Sequence, residues 1–355
     1  MKKRLYSIII YCFLVFFACT SQEKSIPVST IRFDTIQKVT YREIKIPDFI
    51  IGYPQSLNLV EEFLVLEDFF QRENGLYIIN RNTGQLHAQG MKKGRGPGEV
   101  INPDFNVMIN KDQKEISVFE ANLKKTVYYY YQTKDSLKLA REENLPLHLF
   151  KQENVFDCLS VDQYHIGTGV NGLFDSLRFA VFNKNTLKPF GSYPNLKDYL
   201  LPEVKARDVI HYVFFMKTRP DKKKLVTASY IGALLEIFDI SQLPDMKQDT
   251  AILIYPPTKI KGSVDDFKNR IIGFEDIYAT DKYIYTLLSG CTSEDESYIF
   301  PQAISVFDWK GNPVKQYKTN IGLKSIAVDE ETKKIYAIAY TKEDIFTLIE
   351  ISINQ

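Results

Sequence analysis

Cysteine and histidine are scarce in this 355-residue chain, four of each, and two of the cysteines, Cys12 and Cys19, fall within the first nineteen residues. The other two, Cys158 and Cys291, stand far apart, which excludes a small fold stapled by disulfides and predicts two buried thiols. The histidines, His87, His148, His165 and His211, are too dispersed for the closely spaced pair of a conventional zinc motif. An excess of charge of one sign is missing as well. With 45 Lys and Arg against 44 Asp and Glu, the formal net charge is +1, and no general attraction to nucleic acid follows. No serine stands in a G-x-S-x-G elbow, so the sequence offers no hydrolase nucleophile of that kind.

Long apolar runs are absent except at the start. A basic "MKKR" leads into an apolar run from Leu5 to Ala18, interrupted by Ser7 and Cys12, that closes at Cys19. The run is too short to span a bilayer comfortably and fits the hydrophobic region of a secretory signal. The residues "VFFAC" resemble the lipobox of bacterial lipoproteins. That resemblance implies a signal peptide over residues 1–18, acylation of Cys19 and attachment to the membrane of the cell envelope, with the outer membrane as the expected site. Residues 19–35, including the polar "TSQEKSIPVST", then serve as a lipidated tether. Beyond the cysteine there is only Glu23, followed by Lys24, which leaves the periplasmic and surface faces both open.

Short strands are what the chain has in abundance. Its 45% hydrophobic and 25% charged residues describe a folded globular protein. Six segments share one form, a strand, a polar turn and a second strand: "SLNLVEEFLVLEDF" from Ser56, "NVMINKDQKEISVF" from Asn106, "FDCLSVDQYHIGTG" from Phe156, "VFFMKTRPDKKKLVTAS" from Val213, "DIYATDKYIYTLLS" from Asp276 and "SIAVDEETKKIYAIAY" from Ser325. Their starts recur at roughly 50 to 65 residues, the signature of a repeat architecture, and their β-branched and aromatic content makes each an antiparallel hairpin. Further strands ending in Asn, Asp and Gly turns follow, as in "ISVFDWKGNPV".

Four antiparallel strands repeated six times predict an all-β, six-bladed β-propeller over residues 36–355, in which radial repetition leaves only short sheet edges. The sixth unit ends after its third strand. The alternating "VTYREIKIP", Val39–Pro47, is therefore expected to pair into the last blade and close the ring. A two-sheet sandwich has a similar strand count but does not require the regular repeat.

The window "KKGRGPGEV", Lys92–Val100, is dense in glycine but lacks the Lys-Ser/Thr pair and helix that a phosphate loop needs. It lies between the outer strand of blade 1, "QLHAQGMKK", and the inner strand of blade 2, "NVMIN", where glycines and a fixed-φ proline suit a compact crossing. "GRGPGE", Gly94 to Glu99, the repeats of the form "ISVFDWKGN" and the lipobox together resemble the six-bladed, TolB-like propeller lipoproteins of Bacteroidota. The resemblance runs from about Thr30 to Gln355; it implies fold and envelope location and carries no activity to these residues.

Binding residues are expected at the channel mouth, where inner strands converge. Arg95 and Glu99 add charge to the glycine loop, Asp104, Asp157, Asp208 and Glu275 fall at or just before inner strands, and His211 enters the inner strand of blade 4. Solvated charges and an ordinary hydrogen-bonded histidine are the plain alternatives. The run "VYYYYQ", Val127–Gln132, is placed on an outer strand, its tyrosines either offered to a partner or packed between blades. These features describe a binding module for an envelope protein or a small ligand such as a carbohydrate or peptide, with no catalytic residue, no cofactor and no nucleic acid. The alternative is a calcium-dependent, lactonase-like hydrolase or lyase, in which carboxylates from several blades surround one Ca2+. A third reading is an accessory subunit of an envelope complex.

Overall fold

Polar turns fold each repeat back on itself, and many of them pivot on residues that are not glycine. A computed structural model describes residues 25–47, 49–68, 73–104, 106–150, 155–173, 177–199, 214–257, 271–292, 300–343 and 345–353. The turn between first and second strand carries a left-handed residue in five blades: Glu61, Lys114, Asp162, Lys222 and Lys333, with φ between 53° and 59°. That conformation costs a side-chain-bearing residue roughly 1 kcal/mol, and the hairpin ladders on either side hold it.

Six sheets result. Their inner strands are Pro54–Val60, Met108–Asn110, Val155–Val161, Phe214–Thr218, Phe274–Ala279 and Gly322–Asp329, in blades 1 to 6. Blade 4 shows the plan, with Phe214–Thr218, Lys224–Ser229, Ala233–Gln242 and Asp245–Tyr255 antiparallel in chain order. Blade 6 departs from it as expected. Gly322–Asp329, Lys334–Tyr340 and Phe346–Ser352 are completed by Tyr41–Ile44 from the other end of the chain, Tyr41 lying opposite Ile351 and Ile44 opposite Leu348.

The core is a ring of wedges, one at each junction between blades. Val65 and Ile78 of blade 1 pack on Val118 and Val127 of blade 2, and Leu64 and Leu66 pack on Ile338 and Leu348 of blade 6. The remaining four junctions are filled in the same way. Each blade thus buries both faces, which is why its second and third strands read as near-continuous apolar runs.

Part of the tether belongs to the domain. Ile26 N–H donates to the Asn195 carbonyl at 3.1 Å, Val28 bridges Leu253 on the outer strand of blade 4, and Phe33 meets Phe307 edge-on at 5.6 Å. Ile36–Lys38 then adds in parallel to Pro313–Lys318 of blade 5. Residues 25–44 therefore form a strap along the outer edges of blades 4, 5 and 6, correcting the expectation of a free tether to residue 35. Cys19 and the signal segment lie outside the described residues.

Other edges are blunted differently. The outer strand of blade 1, Leu86–Lys93, takes Glu99–Val100 and Asp135–Ser136 in parallel. The outer strand of blade 2, "KLAREEN", is charged, and that of blade 3 contains Pro189. The tyrosine run is also corrected: Lys125–Tyr130 is the third strand of blade 2, flanked on both sides, and Val127, Tyr128, Tyr129 and Tyr131 are buried while Tyr130 is 42% exposed. Of the two thiols, Cys158 is buried and Cys291 only half-buried.

Closure makes a direct prediction. Ile44→Ala removes a buried side chain of the closing strand and is expected to destabilise by roughly 2–4 kcal/mol. Deleting Val39–Pro47 is expected to abolish cooperative melting and open an edge that recruits other strands. Circular-dichroism melts with light scattering check both, and a deletion variant that melts like the full chain would remove the closed ring.

Candidate functional site

Four inner strands share one irregularity at their entrance. Pairing slips by a residue between Pro54 and Ser56, Val155 and Asp157, Phe274 and Asp276, and Leu323 and Ser325. A bulge of this kind bends the strand and re-aims a neighbouring side chain, and the residues that follow it are Ser56, Asp157, Asp276 and Ser325. Asn106 stands at the equivalent place in blade 2, as far from Asn110 at its strand end as Ser56 is from Val60.

These short polar groups tie blade 5 to blade 6, blade 6 to blade 1 and blade 2 to blade 3. Asp276 Oδ2 accepts from Ser325 Oγ at 2.6 Å and from Ile326 N–H at 2.9 Å, and Ser325 Oγ accepts from Leu57 N–H of blade 1 at 2.9 Å. Asp104 Oδ2 accepts from Cys158 N–H of blade 3 at 3.3 Å. Asn106 Nδ2 donates to both oxygens of Asp157, at 2.8 and 2.7 Å.

Carboxyls accumulate on the axis in consequence. Burial raises Glu67, Asp157 and Asp276, and in each the Lys217 ammonium pulls the other way. Blades 1, 3, 4 and 5 contribute these groups, and the channel is where all can feel one ammonium. Glu67, bonded by Ser56 Oγ at 3.1 Å, is pushed up to about 8. Asp104 is held well above the usual carboxylate range by burial and then by Asp157, to which it is hydrogen-bonded. Glu67 Oε1 and Asn106 Oδ1 are buried with no hydrogen-bond partner.

At the opposite, hairpin end of the inner strands the channel widens into a recess of about 940 Å³, reached by Leu59, Asn110, Asp162, Lys217 and Tyr278 from five blades. Its wall at the junction of blades 2 and 3 is a row of polar groups. Tyr128 donates to Glu143 Oε2 at 3.1 Å, and the Arg141 guanidinium lies 3.4 Å from the Tyr128 ring centroid. Ser160 Oγ is 3.0 Å from His165 Nδ1, and the His165 ring stacks on Phe182 at 5.2 Å. Burial lowers the His165 pKa and pushes Tyr128 up to about 12, so both are neutral near pH 7.

The expected site residues divide. Asp104 and Asp157 come together on the axis. Glu275 does not join them: it is the bulged residue itself, buried and bonded by Lys324 Nζ at 3.4 Å, and its neighbour Asp276 takes the channel position. Glu99 serves its own loop, accepting from Gly96 N–H at 2.7 Å, while Gly98 is held against Tyr129 and Glu142 on the third and fourth strands of blade 2. Arg95 and Glu99 are therefore on the outer side of the blade 1–2 junction and not at the channel mouth, with Arg95 exposed. Asp208 and His211 lie outside the described residues. Among the described residues no three His, Cys, Asp or Glu are grouped to hold one metal ion. Glu67, Asp276, Lys217 and the Tyr128–His165 row are not among the residues expected from the sequence; the phase of the repeat, one polar residue at a fixed distance before the hairpin in five of the six blades (Ser56, Asn106, Asp157, Asp276 and Ser325), is the signal for Asp276.

A family model described as TolB-like 6-blade propeller-like matches residues 33–331. Among solved structures, the chain is similar to a protein of Bacteroides fragilis described as exported, with a TM-score of 0.55 and 12% identity over 90% of this chain and 99% of that one. It is likewise similar to a member of the DUF4221 family from Bacteroides vulgatus, with a TM-score of 0.59 and 14% identity over 89% and 99%. At such identities the likeness is one of fold. No curated protein matches the chain.

The raised carboxyls fix a sign for pH dependence. A carboxyl whose folded pKa lies above its ordinary value of 4.5 stabilises fully below that value and loses the contribution as pH rises through the folded pKa, about 8 for Glu67. Melting temperature is expected to fall from about pH 5 to about pH 9, and Glu67→Gln to flatten the fall and melt above the wild type at the alkaline end; a wild-type profile that rises over this range contradicts the buried-acid geometry. In the glycine loop, Gly98 has φ +70°, and Gly98→Ala is expected to destabilise by about 1 kcal/mol or more, read as a lower urea midpoint.

Proposed function

Because the chain belongs to the TolB-like six-bladed propeller family, we propose that it is a binding module of the cell envelope that takes a protein or small ligand at the hairpin-side mouth of its channel. The observation that carries this reading is the recess of about 940 Å³ into which five blades project. A volume near the upper end of ordinary ligand pockets, with a few convergent polar groups, is what a specific binding site requires. Lys111 and Lys184 stand exposed at its rim beside the equally exposed Asp112 and Asp162, so a partner meets charges of both signs first and the Tyr128–His165 row beneath them.

The envelope assignment is supported by the "VFFAC" lipobox with its preceding apolar run and by the Bacteroides fragilis protein of the same fold that is described as exported. Acylation at Cys19 attaches the domain closely. Ser25 is already packed, its Oγ accepting from Asp198 N–H at 3.2 Å, so the chain between them spans at most about 20 Å.

Two measurements test the proposal. Cys19→Ser is expected to shift the protein from the membrane to the soluble fraction with loss of the acyl mass; unchanged mass and fractionation defeat the lipoprotein reading. A photocrosslinker at Asn110 or Lys184, on the recess, is expected to trap a discrete species in native cells, and one at Lys93, on the outer edge of blade 1, is not. Equal trapping at all three positions, or none at the recess, defeats the mouth as the binding face.

A further inference from the structure

We propose that the channel floor beneath the recess binds a polyatomic organic cation, an ammonium or guanidinium group carried by a ligand that enters through the mouth. This rests on the preceding reading of the recess as the binding face and names the chemistry recognised there.

The groups facing the axis are unbalanced. Blade 1 supplies Glu67, the link into blade 2 Asp104, blade 2 Asn106, blade 3 Asp157, blade 4 Lys217, and blade 5 Asp276 with the Tyr278 hydroxyl. Four carboxyls thus stand against one ammonium, whose charge acts on Glu67, Asp157 and Asp276. Their burial without further cations is costly, and the carboxyls answer by holding protons.

Two acceptors stand open in that cluster. Glu67 is fully buried and uses Oε2 for Ser56, leaving Oε1 without a partner. Asn106 is 3% exposed and gives its Nδ2 to Asp157, so that its Oδ1, on the other side of the amide, is turned from Asp157 and has no partner. Open acceptors call for a donor, and ammonium and guanidinium groups carry several donors and no acceptor.

Size selects among cations. Among the described residues no three acidic, His or Cys side chains converge closely enough for a metal ion, whereas N–H groups diverging from one centre reach acceptors set farther apart. Lys217 is a built-in cation whose charge acts on three of these acids through space, and it also lines the recess, so an incoming cation competes with it.

Agmatine and n-butylammonium are the probes, titrated calorimetrically into the full chain beside NaCl and CaCl2 at matched ionic strength. Saturable binding of either amine is expected, with affinity rising up to about tenfold per pH unit below pH 8 as Glu67 releases its proton. Glu67→Gln is expected to erase that pH dependence and weaken binding by about tenfold. Lys217→Met, which removes the competing ammonium, is expected to tighten it. Absence of saturable binding to the wild type across pH 6 to 9, on the order of the range that spans the Glu67 titration, overturns the proposal whatever the variants do. So do an equal response to NaCl, binding of Ca2+ in place of the amines, or weaker amine binding by a folded Lys217→Met. Loss of amine binding with the recess crosslinks intact refutes this inference alone; amine binding without crosslinks removes the partner reading and leaves the cation site.

Discussion

No blade of this protein can bury its apolar faces by itself, and everything else in the structure depends on that. Each sheet is hydrophobic on both sides, so each needs two neighbours, and a row of such sheets is satisfied only when it closes. Pairing of Tyr41–Ile44 with Leu348–Ile351 performs the closure. It places the N-terminal strand on the outside of blade 6, and the chain before it is thereby led along the edges of blades 5 and 4. One topological requirement thus completes the last sheet and covers neighbouring edges that would otherwise be open to pairing.

Closure also decides what happens at the axis. Six inner strands converge there, and bulges at the entrances of four of them turn Asp157, Asp276 and Ser325 into hydrogen bonds with the adjoining blade and Ser56 into one with Glu67 of its own. Serine and asparagine do this at little electrostatic cost, whereas aspartate and glutamate do not. Replacing buried ionic groups by apolar ones of similar shape is often neutral or stabilising, so structural linkage alone would be served by serines throughout. Departures from such economy are found where a protein functions; the Arg178–Glu236 pair between blades 3 and 4 is buried but matched in charge, whereas the channel gathers several carboxyls about Lys217 alone.

The sequence disclosed the repeat because strand periodicity and turn residues are local properties. Six hairpins, their starts and the closing role of the segment near Tyr41 could be read directly, since a missing fourth strand must be supplied by the same chain. The site was less legible. Position at an inner strand points to Asp104, Asp157 and Glu275, but a one-residue bulge puts Asp276 in place of Glu275 at the channel, and bulges leave no trace in alternation. Arg95 and Glu99 were misplaced for another reason: the glycine loop is held from the side by Tyr129 and Glu142, contacts made across more than thirty residues. The strap was missed because "SIPVST" has no periodicity of its own, and only the edges it covers give it a structure.

The two ends of the channel are unlike, and the strap bears on which of them is open to a partner. At the strand entrances the axis is closed by buried acids; at the hairpins it opens into the recess, and Lys217 belongs to both regions. The strap begins at the rim between blades 3 and 4, where Ile26 and Ser25 meet Asn195 and Asp198. An anchor at Cys19 would accordingly hold the propeller by its rim and not by either face. With so short a link the channel axis would run along the membrane surface more readily than into it, and the recess would stay open to the side. A cation-bearing ligand could then approach past Lys111 and Lys184 without displacing lipid. A rim carrying both Lys111 and Lys184 and Asp112 and Asp162 would favour a ligand whose outer part is polar and whose positive group is confined to the tip that reaches the carboxyls.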